Sequence, residues 1–197
     1  MRRALGLLLV LLCAGVLAGC APPAQKFRAS DITGSSLGRD FALTDFNGTP
    51  RTLEDFRGKV VVMFFGYTHC PDVCPVTLAE LAEAMKRLGA AADRVQVLFV
   101  TVDPARDTPQ VLAQYVPAFD KRFLGLRGDA DALAKTAADY KVIYQKQPGT
   151  TPGSYTMDHS AGTYIYDTQG RLRLYVSYGQ GVDVFAHDIK ALLDSAA

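Results

Sequence analysis

Apolar positions along this chain change period several times, and each change marks an element. Phe41, Leu43 and Asp45 alternate before Asn47-Gly48, with Thr52 and Leu53 beyond, a period of two around a tight-turn dipeptide that predicts a β-hairpin. Residues 59–65 (KVVVMFF) form a continuous apolar run of strand length, as expected of a strand buried on both faces. From 75 to 88 the period lengthens. Leu78, Leu81, Ala82, Met85 and Leu88 recur at helical spacing, with Pro75 suited to a first helical position and Gly89 to a stop.

Residues 95–101 (VQVLFVT) read as a second buried strand, and Thr108-Pro109 cap and open a helix running to about Phe119. A short extended piece at 123–126 precedes a helix that starts at Asp129 and carries Leu133 and Ala137; 141–145 is a further strand. A loop rich in Gly, Pro and Thr, 148–158, leads to His159. Residues 163–166 and 172–177 alternate around a turn at 167–170 and predict a second hairpin, and Val184, Phe185, Ile189 and Leu192 share one face of a closing helix. No internal repeat is visible. This order fits an α/β three-layer sandwich of the thioredoxin type, with a mixed central sheet, an N-terminal β-hairpin and helices on both faces.

With 197 residues, 49% hydrophobic and 21% charged, the chain is sized for one globular domain with a substantial core. The net charge is +1 and the Lys and Arg residues are scattered, which removes nucleic acid from the expected partners. Arg2 and Arg3 precede an apolar and small-residue run, 4–18, ending in Leu17-Ala18-Gly19-Cys20. That run is short of the roughly 20 apolar residues that span a bilayer, so 1–19 is expected to be a cleaved signal peptide. The tetrapeptide resembles a bacterial lipobox, which makes Cys20 the expected lipid-attachment site. Residues 20–39, with Pro22, Pro23 and no apolar period, then serve as a tether to a domain at 40–197. The expected location is the periplasmic side of a bacterial membrane; Ala21 in place of Asp leans toward the outer membrane by resemblance only, and the target membrane stays open.

This address changes the cysteine count that matters. Cys13 falls in the signal and Cys20 is consumed by lipid, leaving Cys70 and Cys74 as the only thiols. In an oxidising compartment such a pair is redox-active, metal-loaded or a small staple. Pro71 and Pro75 each follow a cysteine and disfavour helical torsions there, which predicts a turn at 71–73 and places Cys74 at the helix N-cap, with its pKa lowered by unpaired backbone N–H groups. Three residues separate the thiols, against two in the thioredoxin redox signal, so the wider loop can direct both sulfurs at one ion. Two thiolates are soft ligands that favour Cu(I), and an added imidazole also allows Cu(II). Of the three histidines, His159 at the end of its long loop is preferred as third ligand over His69, which leaves the backbone on the opposite side from Cys70; His187 is expected to face solvent.

The segment 66–75 (GYTHCPDVCP), with Thr101-Val102-Asp103-Pro104, Arg106-Asp107-Thr108-Pro109 and Asp158-His159-Ser160, resembles the Sco (SenC) family of copper metallochaperones over the chain from about Asp31 onward. The resemblance implies a thioredoxin fold in which Cys70, Cys74 and His159 ligate copper, and an acceptor, the dinuclear copper site of cytochrome c oxidase. Other residues have two readings each. Asp72 tunes the site or is a turn residue; Asp103, Arg106 and Asp107 form a docking rim or, preferably, turn and cap structure; Met157 is preferred as packing over a thioether donor; Phe64, Phe65 and Phe99 are core.

Two classes of function follow. The first is a monomeric copper chaperone, carrying one ion and passing it on by ligand exchange. The second is an enzyme, a thiol–disulfide oxidoreductase that reduces cysteines of the apo-oxidase subunit. A peroxiredoxin-like peroxidase is a weaker third reading, because no arginine and threonine beside a single cysteine are evident. A copper donor and a periplasmic thiol reductant are further expected partners. The oxidation state delivered is not legible.

Overall fold

The computed structural model describes residues 26–195. The expected signal peptide, Cys20 and the first residues of the tether lie outside them. The elements in chain order are β1 (Ser30–Asp31), β2 (Leu43–Asp45), β3 (Pro50–Arg51), β4 (Val60–Gly66), α1 (Val73–Leu88), β5 (Val95–Thr101), α2 (Pro109–Tyr115), β6 (Leu124–Arg127), α3 (Ala130–Asp139), β7 (Tyr144–Pro148), β8 (Tyr155–His159), β9 (Thr163–Tyr166), β10 (Leu172–Val176) and α4 (Val182–Asp194). Eight strands form one mixed sheet in the order β1-β10-β9-β4-β5-β6-β2-β3, and β7 and β8 pair apart from it as a two-stranded ribbon.

All seven residues of β4 are buried, as its unbroken apolar run requires. It pairs parallel with β5 on one side and antiparallel with β9 on the other. The two parallel crossovers, β4–α1–β5 and β5–α2–β6, step in the same direction, so their right-handed sense puts α1 and α2 on one face. Phe64 and Phe99, in register, point to that face, where Tyr115 packs on Phe99 and α4 packs on α1. Phe65 points to the other face and meets Tyr140, just beyond α3, and Tyr164. The three-layer thioredoxin-like sandwich and its N-terminal hairpin β2–β3 are therefore present.

The folded part begins earlier than expected. β1 pairs with β10 through Ser30 and Tyr175, and the buried Asp188 carboxylate accepts the backbone N–H groups of Arg28 and Ala29. Those partners lie 159 or 160 residues apart, so no local pattern reports them. Residues 28–39, expected to be tether, belong to the domain. The register also fixes a direction: β1 enters at the end of the sheet where β4 and β10 terminate.

Two buried aspartates hold the hairpin turns in the same way. Asp45 accepts the N–H groups of Asn47 and Thr49 and the Nε of Arg51; Asp167 accepts those of Gln169 and Arg171 and the Nε of Arg171. Burial alone raises both carboxyl pKa values, but these donors outweigh it and hold each below 3.8. A depressed folded-state pKa gives stability that is complete above the unfolded value and is lost as pH falls through the folded one. Asp45→Ala is expected to cost about 2 kcal/mol at neutral pH. Denaturant titrations at pH 7 and pH 3 should show the gap to wild type narrowing at the lower pH.

Candidate metal centre

The site forms where β4 ends. After Gly66 the chain turns, with Cys70 N–H bonded to the Tyr67 carbonyl, and α1 begins at Val73. The helix starts two residues before the expected position, with Asp72 as N-cap and Cys74 inside the first turn. Pro75 does not prevent this, because a proline within the first helical turn lacks only an N–H that has no intrahelical partner.

That shift corrects the expected chemistry of the two thiols. Cys74 is fully buried, and burial pushes its thiol well above the ordinary value; a backbone hydrogen bond from Tyr67 acts against this without prevailing. The helix N-terminus serves the other sulfur: the Cys74 N–H donates to Cys70 Sγ at 3.4 Å. Cys70 is partly exposed, and both cysteines are free thiols.

His159 arrives from elsewhere. Of the segment 148–158, expected to be a loop, 149–154 is a hairpin turn and both ends are strand, because β7 and β8 pair with Tyr144 opposite His159 and Pro148 opposite Tyr155. Along β8, Tyr155, Met157 and His159 are half-buried while Thr156 and Asp158 are exposed, the alternation of a ribbon with one face against the domain. The His159 ring packs edge-on against Phe64 and Tyr67, with centroids 6.2 and 5.9 Å away. Its Nδ1 lies 3.0 Å from the Ser160 carbonyl, which can only accept, so Nδ1 carries the proton and Nε2 presents its lone pair. Nε2 is 3.5 Å from Cys74 Sγ. Burial lowers the imidazole pKa, which favours this neutral tautomer.

The Cys70, Cys74 and His159 donor atoms all lie within 4.8 Å of one another. Two sulfurs and one imidazole nitrogen, with no carboxylate in the set, suit a soft ion such as Cu(I). His69 is exposed, its Nδ1 3.1 Å from Thr68 Oγ1 and 3.8 Å from an Asp107 oxygen. His187, expected to face solvent, is instead half-buried with its Nδ1 2.7 Å from Asp188. Met157 packs against the core, as preferred.

The residues read as a rim or as turns are an internal brace. Asp107, fully buried, accepts Thr68 N–H (3.0 Å), Thr68 Oγ1 (2.6 Å) and Thr101 Oγ1 (2.6 Å), and so ties the dithiol loop to β5. Arg106 pairs with Asp103 through Nε, donates from Nη1 to the Tyr155 carbonyl at 2.8 Å and lies 3.6 Å above the Tyr155 ring. Tyr155 OH donates to Asp103 at 2.9 Å, so the ribbon carrying His159 is fastened to the loop after β5. Sequence reasoning passed over Tyr67 and Tyr155, whose partners lie far along the chain.

Gly66 has its own reason to be glycine. A Cβ there would fall 2.8 Å from Cys74 Sγ, 2.9 Å from Phe99 and 3.0 Å from Phe64. Gly66→Ala is expected to destabilise the fold by about 1–3 kcal/mol through overpacking and to displace the Cys74 sulfur. Thermal melts together with copper titration check both effects.

With the geometry in place, the comparisons with known proteins are specific. The SCO1/SenC family model matches residues 29–194. The mitochondrial SCO2 homolog of Mus musculus is 36% identical over 169 residues, 84% of this chain and 66% of that protein. The chain thus spans just under two thirds of such relatives' length. The structure of Bradyrhizobium japonicum ScoI with copper bound is 41% identical with a TM-score of 0.73, covering 81% of this chain and 100% of that one. The solution structures of apo Sco1 from Thermus thermophilus are 41% identical with a TM-score of 0.76, covering 87% and 100%.

Proposed function

Because the chain belongs to the SCO1/SenC family, we propose that it is a copper chaperone whose cargo is one ion held by Cys70, Cys74 and His159 and passed to the copper-accepting subunit of cytochrome c oxidase. The observation that carries this reading is the convergence of those three donors within 4.8 Å from two separate elements. The copper-bound ScoI structure, 41% identical, supports it.

The gradient of exposure gives the transfer a direction. Cys74 is buried at the back of the site and Cys70 is partly exposed, so an acceptor's sulfur or imidazole enters on the Cys70 side and displaces the ligands in turn. No bond in a substrate is broken. Copper uptake drives the proton off the Cys74 thiol, and release returns it. The two sulfurs suit Cu(I), and the neutral imidazole lets the same set hold Cu(II).

A lipid on Cys20 would hold the domain at the periplasmic side of a membrane. β1 enters at the dithiol end of the sheet, so the eight or nine residues between Cys20 and the domain would leave the site up to roughly 30 Å from the bilayer. A thiol reductant for Cys70 and Cys74 and a copper donor complete the proposed partners.

The test is metal analysis of the reduced protein beside a Cys70→Ala, Cys74→Ala double variant. About one copper per wild-type chain and none in the variant is expected. Equal retention by both proteins overturns the reading.

A further inference from the structure

Three large apolar side chains stand out as exposed among the described residues: Val76 at 40%, Ile143 at 75% and Tyr178 at 46%. In sequence they are scattered; in the fold each borders the candidate metal centre. Val76 lies on the first turn of α1, two residues past Cys74. Ile143 exchanges two hydrogen bonds with Ser160, the residue after His159, donating to its Oγ at 3.0 Å and accepting its N–H at 2.9 Å. Tyr178 lies in the turn after β10, at the end of the sheet where β4 terminates, and Asp72, Glu80 and Cys70 are its electrostatic neighbours.

The charges at this mouth are as uneven as its apolar surface. Most carboxylates elsewhere are matched, as Asp45 is with Arg51, Asp120 with Arg122, Asp167 with Arg171 and Asp183 with Arg87. Asp72 and Glu80 have neither a cation nor a hydrogen-bond donor on their carboxylates among the described residues. Both act electrostatically on Tyr178. An apolar collar with an uncompensated acidic border surrounds the point where a metal enters and leaves.

We propose that Val76, Ile143 and Tyr178, bordered by Asp72 and Glu80, form the docking face for a protein that brings its own copper ligands on an apolar surface edged with Lys or Arg. This rests on the chaperone reading and names how its acceptor is recognised. A second copy of this chain does not fit, because a mouth-to-mouth pair sets acidic border against acidic border. An anionic lipid surface is repelled for the same reason. A basic-edged protein satisfies both features: the collar is desolvated at the centre, and the border steers encounter in a salt-dependent way. Copper then changes ligands without changing oxidation state, and the protons released by the acceptor's ligands balance those taken up where the ion leaves.

The experiment uses the full copper-loaded chain and, as probe, the reduced apo form of the soluble copper domain of the oxidase subunit from the same organism. A Val76→Ser, Ile143→Ser, Tyr178→Ser variant should load copper normally and lose it to bathocuproine disulfonate at the wild-type rate. Its transfer to the probe should be at least about tenfold slower, as expected for lost anchor residues. An Asp72→Asn, Glu80→Gln variant should lose most of the salt dependence of the wild-type transfer rate. Transfer by the collar variant within twofold of wild type overturns the docking face while leaving the chaperone reading intact. A wild-type chain that holds copper against the chelator yet passes none to the probe overturns the named partner. A chain that holds no copper overturns the chaperone reading and the docking face together.

Discussion

Replacing His159 by alanine is expected to lower copper affinity by at least about 100-fold while changing the rate of thiol–disulfide exchange by less than about threefold. The asymmetry follows from the geometry. Nε2 is the donor that comes from a separate element, and it sits 3.5 Å from Cys74 Sγ with its tautomer set by the Ser160 carbonyl. Without it two sulfurs from one loop remain, and a two-ligand site on a partly exposed turn releases its ion readily. A dithiol exchanging with a disulfide attacks through its more accessible sulfur, Cys70, whose hydrogen bond comes from the Cys74 N–H and not from the imidazole. Because the ring also packs on Phe64 and Tyr67, His159→Phe serves as the companion variant: it keeps the packing and removes the donor. Both variants should lack the sulfur-to-Cu(II) charge-transfer absorption of wild type. Intact copper binding with impaired disulfide reduction would be the reverse pattern, and it would make the protein an oxidoreductase.

The parts of this protein legible in its sequence are those whose cause is local. β5 runs from Val95 to Thr101, as its apolar run dictates, and Thr108 caps its helix by accepting the Val111 N–H. The dithiol spacing pointed to two sulfurs converging on one point, and the donors do converge. The misreadings share a different cause. The tendency of a residue before proline to avoid helical torsions sets Cys74 at the N-cap, but the first turn relaxes that rule and Asp72 is the cap instead. The thiol expected to be activated is thereby buried, and Cys70 takes the helix N–H instead. In 148–158, Gly, Pro and Thr masked the alternation of Tyr155, Met157 and His159, which becomes evident only when β7 lies alongside. Asp103, Arg106 and Asp107 look like ordinary turn residues because their partners Thr68 and Tyr155 lie 39 and 49 or more residues away.

Asp107 carries the second large effect. It touches none of the three donors, yet it fixes the loop that presents Cys70. Its carboxylate accepts three hydrogen bonds at 2.6 to 3.0 Å, from the Thr68 N–H and from the hydroxyls of Thr68 and Thr101. Asp107→Ala leaves the buried Thr101 hydroxyl and the partly buried Thr68 groups without their acceptor, and opens a cavity as well. Charge-assisted bonds are worth about 1.5–3 kcal/mol each and do not add fully, so a loss of about 3 kcal/mol is expected. For a domain of this size that lowers Tm by roughly 6–12 °C. Copper affinity should fall by about tenfold, since the dithiol loop must then be ordered at the moment of binding. Asp107→Asn keeps the shape and one acceptor, and the threonine hydroxyls can turn to receive its amide, so roughly half of each effect is expected. Differential scanning calorimetry with copper competition titrations measures both quantities on the same samples. If Asp107→Ala melted within about 1 °C of wild type, the carboxylate would not be anchoring the loop, and the preorganisation of the dithiol would have to come from the Tyr67 and Cys74 backbone contacts alone.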